Sequence, residues 1–274
     1  MFSLSDIYRP ITAQPPKNST HVEIEPCKEL KPYIHCFWGT SRPYTNMPSP
    51  DNQQGLVIPD TCMDLIFDID INTGRLTDIF SGINDAAFVL AESTGAPSTF
   101  AIRFYFWAVP LFSDESMHQA LNAFAESESY FHNIRRDFQR ILTDHHLIQD
   151  RVAFAEQYLL NKLNMNRRNN NVMNAVYKLL ETRGTADIAE LTGYTAVSQR
   201  QLERLFKEYT GLSPKKISGL IRYQHLWQDI LKDRDFSIQD AVYKYGYADQ
   251  SHLLHDFKKY HTMTPADARA YALS

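Results

Sequence analysis

Three sets of side chains have the types and spacing to do chemistry. Arg200, Glu203, Arg204 and Lys207 lie at i, i+3, i+4 and i+7, one polar stripe if the segment is helical. Opposite them run Leu202, Leu205, Phe206 and Tyr209, an apolar stripe of the same spacing. Ser251, His252, His255 and Lys259 form a second polar face, backed by Leu253, Phe257 and Tyr260. Such faces can hydrogen-bond to a polar partner or simply meet water. The third set is Asp64, Asp68 and Asp70 in "DLIFDID", all on one side of an alternating strand. Three carboxylates could hold a hard cation, but the same row reads more simply as a solvated strand face.

Other catalytic patterns are missing. His21, His35 and His118 stand apart without H-x-H or H-E-x-x-H spacing. His145 and His146 adjoin on an expected helix, about 100° apart, and cannot easily chelate together. No G-x-S-x-G frames Ser93, and no glycine-rich loop could cradle a phosphate. Cys27, Cys36 and Cys62 are an odd number without C-x-x-C spacing. They support no disulfide framework, zinc site or methyl-accepting cysteine cluster, and read as small buried residues in a reducing cytoplasm. No cofactor and no metal are expected.

The elements that position these residues follow from composition and period. At 274 residues, 43% hydrophobic and 22% charged, the chain has the material for two soluble domains. No apolar run has membrane-spanning length, so no membrane partner is expected. Residues 1–20 lack a signal-peptide pattern and read as a flexible, proline-bearing tail. Residues 21–112 read as strands: "HVEIE", "YIHCFWG", "GLVIP", "CMDLIFDID" and "FAIRFYFWA" are separated by turn-rich stretches. Helical spacing then takes over at Met117, Leu121 and Phe124. It continues through Phe131, Ile134, Phe138, Ile141 and Leu142, then Val152, Ala155, Tyr158, Leu159 and Leu163. These stripes of a helical connector, 113–171, could pack within the chain or across a homodimer. The polar, Asn-rich 164–171 reads as a linker. Net charge is −4, yet 172–274 carries 14 basic and 12 acidic groups against 7 and 12 in 1–112. The positive balance therefore lies at the C-terminal end.

That end repeats itself. "LFKEYTGLSP" at 205–214 and "DFKKYHTMTP" at 256–265 are near-copies 51 residues apart, counted from Phe206 to Phe257. Each long polar-faced helix follows a shorter one whose start is marked by a capping residue before an Ile: Asp187 in "DIAE" and Ser237 in "SIQD". Tight turns lie between, with Gly246 able to supply a left-handed residue in the second copy. This is the helix-turn-helix pattern, twice. A further helix over 215–231, about 25 Å long, could hold two reading helices about one DNA turn apart.

At "VSQRQLERLFKEYTGLSP" and "SIQDAVYKYGYADQSHLLHDFKKYHTMTP" the sequence resembles the AraC/XylS family of bacterial transcription regulators, over about residues 172–271. The resemblance implies an all-α double helix-turn-helix domain, 172–274, that binds double-stranded DNA, and no enzyme activity. It places base reading on Arg200, Glu203, Arg204, Gln250, Ser251, His252 and His255. Arg204 would clamp guanine, Glu203 would accept from cytosine and Gln250 would bracket adenine. Ser198, Lys207, Lys215, Lys216, Lys258 and Lys259 fall to phosphates. The chain departs from the family at Ala196, where a turn glycine is expected, with Gly193 falling inside the first helix. It departs again at His255, often arginine. Segments "PYIHCFWG", "VIPDTCMDLIFDI" and "FAIRFYFWAVPLF" resemble the β-rich, barrel or cupin-like sensor that precedes this module in one subgroup. That implies an α+β chain with an effector-binding or dimerising domain at 21–112, and RNA polymerase as a partner. Phe37, Trp38, Tyr105, Phe106 and Trp107 could line an effector pocket with Arg103 as an anion anchor, or be ordinary core residues. A co-regulator acting mainly through protein contacts is the alternative.

Overall fold

The computed structural model of the chain describes residues 3–12, 21–40, 56–70, 73–89, 98–145 and 147–273. The turn-rich stretch 43–55, Ser93 and His146 lie outside them. In chain order the elements are α1 (Leu4–Ile7), β1 (His21–Ile24), β2 (Ile34–Thr40), β3 (Leu56–Val57), β4 (Cys62–Ile69), β5 (Leu76–Ser81), β6 (Phe88–Val89), β7 (Ser98–Tyr105) and β8 (Phe124–Ala125). The helices follow: α2 (Ile134–Asp144), α3 (Ile148–Lys162), α4 (Asn170–Glu181), α5 (Ile188–Thr195), α6 (Gln199–Thr210), α7 (Pro214–Lys232), α8 (Ile238–Lys244), α9 (Gln250–His261) and α10 (Pro265–Leu273). None among the described residues is long and apolar enough to cross a membrane.

Six antiparallel strands form one sheet in the order β1-β2-β7-β4-β5-β8, and β3 pairs with β6 separately. Alternation assigns the faces. Leu65, Phe67 and Ile69 of β4 and Phe100, Ile102 and Phe104 of β7 are buried on one side, where Phe138 of α2 stacks on Phe67 at 4.9 Å. The helical stripes over 134–163 thus pack within the chain, on the sheet. Asp64, expected on a solvated face, lies on the opposite side, buried with Trp38 and Arg103.

Four further points differ from the sequence reading. β5 was not visible in the pattern because its inward phase, Leu76, Asp78, Phe80, contains a charge. Asp78 is buried, accepting from the Ser127 backbone and paired with Arg135. The stripe at 117–124 is not a helix. Its backbone donors find tertiary partners instead: Met117 N–H reaches the Glu208 carbonyl and Asn122 N–H the Ile83 carbonyl, while Phe124 joins the sheet edge as β8. Likewise His145 is the extended C-cap of α2 rather than a helical residue. Finally, residues 3–12 are not a loose tail. Tyr8 is buried and its hydroxyl meets Thr61 at 2.9 Å. Ile11 brackets the side chain of Gln224 in α7, accepting at 3.1 Å and donating at 2.8 Å.

Candidate nucleic-acid interface

Helix α5 begins with a reciprocal capping box between Asp187 and Glu190, both hydrogen bonds 2.9 Å long. It ends at Ala196, whose φ of 54° is left-handed; the turn takes that conformation without the glycine, and Gly193 sits inside the helix as expected. Ser198 then caps α6, accepting from Gln201 N–H at 3.3 Å. Leu202, Phe206 and Tyr209 are buried, which turns Arg200, Glu203 and Arg204 to solvent. Glu203 accepts from Gln199 at 2.9 Å and Arg204 pairs with Glu208 at 2.9 Å.

The second copy is built on the same plan. Ser237 caps α8, Gly246 makes the turn at φ 63°, and Asp249 caps α9 by accepting from His252 N–H at 2.7 Å. Leu253, Phe257 and Tyr260 are buried, while Gln250, Ser251, His252, His255, Lys258 and Lys259 are exposed. The His252 ring stands edge-on to Tyr247, its Nδ1 3.4 Å from Ala248 N. His261, one turn beyond this face, is a core histidine. It stacks on Phe257 and meets the Tyr223 hydroxyl at 2.7 Å, and burial lowers its pKa to about 4.

Between the copies α7 runs 19 residues, about 28 Å. Asp256 of α9 accepts from Arg222 of α7 at 3.4 Å and from Tyr247 at 3.2 Å, with the Arg222 guanidinium 4.5 Å over the Tyr247 ring. The second polar face is therefore fixed to the strut by a charged network as well as by packing. Among the lysines expected at phosphates, Lys215, Lys258 and Lys259 are exposed. Lys207 donates to the Gly211 carbonyl at the end of its own helix, 2.7 Å away. Lys216 is paired with Asp85 of the β-rich region.

Two patterns of the chain match known families: residues 191–271 match a helix-turn-helix domain and residues 22–126 a domain of unknown function. The probable transcription factor PqrA of Proteus vulgaris is 32% identical over 108 residues, which is 84% of its length and 36% of this chain. The chain belongs to the AraC/XylS family of transcription regulators. It carries the family's helix-turn-helix DNA-binding domain, and the family comprises regulators rather than enzymes. The HTH-type transcriptional regulator GbdR of Pseudomonas aeruginosa is 34% identical over 83 residues, 30% of this chain and 22% of that protein. An AraC-type regulator from Chromobacterium violaceum is 26% identical and covers 37% of this chain and 90% of its own, with a TM-score of 0.35. Apo ToxT from Vibrio cholerae is 11% identical over 93% of this chain and 99% of its own, with a TM-score of 0.40.

The side chains offered for an effector pocket around Arg103 are engaged with one another and with the core. Arg103 is buried and its guanidinium is spent on Asp64, Nε to Oδ1 2.8 Å, with Asp60 4.0 Å away. Trp38 donates to the same Asp64 oxygen at 2.8 Å. Tyr105 stacks on Trp107 at 4.4 Å, and the Trp107 indole donates to the Pro32 carbonyl in the core. Burial pushes the Asp60 carboxyl up to about 6 against the pull of Arg103. A groove of about 730 Å³ instead lies between the N-terminal segment and α7, lined by Tyr8, Arg9, His21, Glu23, His35 and Lys232 among others. His21 and Lys232 are far apart in sequence, and no local pattern could have joined them.

Proposed function

We propose that α6 and α9 read successive major grooves on one side of a DNA duplex. Arg200, Glu203 and Arg204 would read the first half-site, and Gln250, Ser251, His252 and His255 the second. The observation that carries this reading is the pair of exposed polar faces, each opening at a capped helix start, on helices joined in the chain through α7. Recognition helices address base edges with their N-terminal residues, and both polar sets begin in the first turn. Ser198, Lys215, Lys258 and Lys259 would take phosphates, and Lys207 and Lys216 would do so only by leaving their present partners.

In this reading 172–274 is the DNA-binding domain, 113–171 the connector, and 21–112 the domain through which an effector, a second copy or RNA polymerase acts. An effector that bound one docking arrangement better than another would shift the DNA-competent population. The groove beside α7 is a better place for it than the Arg103 cluster, whose charge is already used. Selection of the full chain against random double-stranded DNA tests the double reader. Enrichment of a two-part motif, its halves about one turn apart, supports it. A single short motif with no second half would leave α9 without a reading role.

A further inference from the structure

Residues 82–87 leave the sheet after β5 and cross to the DNA-binding domain. The loop is braced: Gly82 N–H donates to the Ala123 carbonyl at 2.9 Å and Asn122 N–H to the Ile83 carbonyl at 2.8 Å. The Asn122 side chain then grips Asp85 twice, donating to Oδ1 at 2.8 Å and accepting from its backbone N–H at 3.0 Å. Asn122 itself is held at a φ of 53°. Two residues on, Ala87 N–H donates to the Tyr260 carbonyl near the end of α9. Between these anchors the Asp85 carboxylate is delivered to Lys216 in the first turn of α7, and Lys259 of α9 adds attraction. Burial pushes this carboxyl up, but the hydrogen bonds from Lys216 and Asn122 outweigh it and hold the acid below its usual range.

A carboxylate held this way offers the charge and acceptor oxygens of a backbone phosphate. We propose that Asp85 stands in for a DNA phosphate on Lys216, so that docking of the loop and full phosphate contact exclude one another at this position. The inference rests on the reading of Lys216 as a phosphate contact. Loop 82–87 is then a built-in competitor: it withholds one cation from DNA while the β-rich domain is docked and yields it when the loop lifts. The Lys216 and Asp85 side chains are 32% and 20% exposed. Partly solvated pairs of this kind are weak, so the contact can be displaced and tunes affinity rather than abolishing it.

The test measures binding of the full chain to a random-sequence duplex over a range of salt, for four proteins: native, Asp85→Asn, Lys216→Ala and the double variant. Asp85→Asn is expected to bind several-fold tighter and to steepen the logarithmic salt slope by about 1, the mark of one extra phosphate contact. Lys216→Ala alone is expected to change little, because Lys216 is already occupied, and the double variant is expected to show no gain. Asn122→Gly keeps the left-handed backbone, releases the carboxylate, and is expected to reproduce part of the gain. Unchanged or weaker binding by Asp85→Asn would overturn the proposal. So would a gain undiminished in the double variant and accompanied by a steeper salt slope, which would mean that Asp85 repels DNA through its charge alone. If Asp85→Asn tightens binding with no change in slope, and removal of Lys216 from that variant leaves binding as it was, the underlying phosphate assignment fails instead.

Discussion

A side chain in an ion pair must give up one partner to reach another, and the worth of the first contact sets whether it does. Arg204 and Glu208 are 61% and 48% exposed, and an exposed pair of this spacing contributes about 0.3–0.5 kcal/mol. A bidentate contact to guanine discriminates by about 1–3 kcal/mol, so a guanine within reach would win the arginine. Arg204→Ala is expected to cost about that much in binding and to relax preference at one base, read by repeating the DNA selection with the variant; an equal loss on all sequences would reassign it to a phosphate. Arg103 is the opposite case, since pulling it from Asp64 and Asp60 would strand two nearly buried carboxylates. The same cluster gives a pH signature. Asp60 has a folded pKa near 6 against an ordinary value of 3.8, so the folded state binds this proton more tightly than the unfolded one. Its contribution to stability is therefore favourable at low pH and is lost as pH rises from about 4 to 6. Asp60→Asn is expected to be more stable than the native chain at pH 7, by about 1–3 kcal/mol, with the gap closing towards pH 4.5. Denaturant unfolding across that range checks the sign.

At the scale of elements, helices α6 and α9 are held differently. Helix α6 abuts residues 117–120 through Glu208 and Gly211, where a side chain on Gly211 would crowd the Met117 carbonyl. Helix α9 is tied to the strut by Asp256, Arg222 and Tyr247, side chains only partly exposed. Asp256→Ala leaves the Arg222 guanidinium without its carboxylate, at an expected cost of about 1–3 kcal/mol in stability. Its sharper consequence is positional: DNA selection by this variant should keep the half-site read by α6 and blur the half read by α9. Equal blurring of both halves would show that the network supports the domain as a whole.

Across the whole molecule, the strut is also where the β-rich region takes hold. Gln224 is fully buried, its amide bonded to Ile11 N–H, the Ile11 carbonyl and the Pro59 carbonyl. Gln224→Ala strands those backbone groups at an expected cost of about 1–3 kcal/mol each left unsatisfied. Limited proteolysis should then cut within residues 1–20 faster than in the native chain. That dependence on distant partners divides what was legible in the sequence from what was not. The capped helix pairs, the strut and the outward stripes of α6 and α9 could be read directly, because helix period and caps are local and the helix-turn-helix was written twice. Strands β2, β4 and β7 could be read from β-branched and aromatic residues between turn-rich stretches, with alternation argued only for β4. Strand β5 could not, since the acid in its inward phase is neutralised by Arg135, over fifty residues away. Nor could the non-helical 117–124, the docking of residues 3–12, the spending of Arg103 on Asp64, or the pairing of Lys216 with Asp85. In each of these a polar or backbone group has its partner in another part of the chain, and only the tertiary structure decides which partner that is.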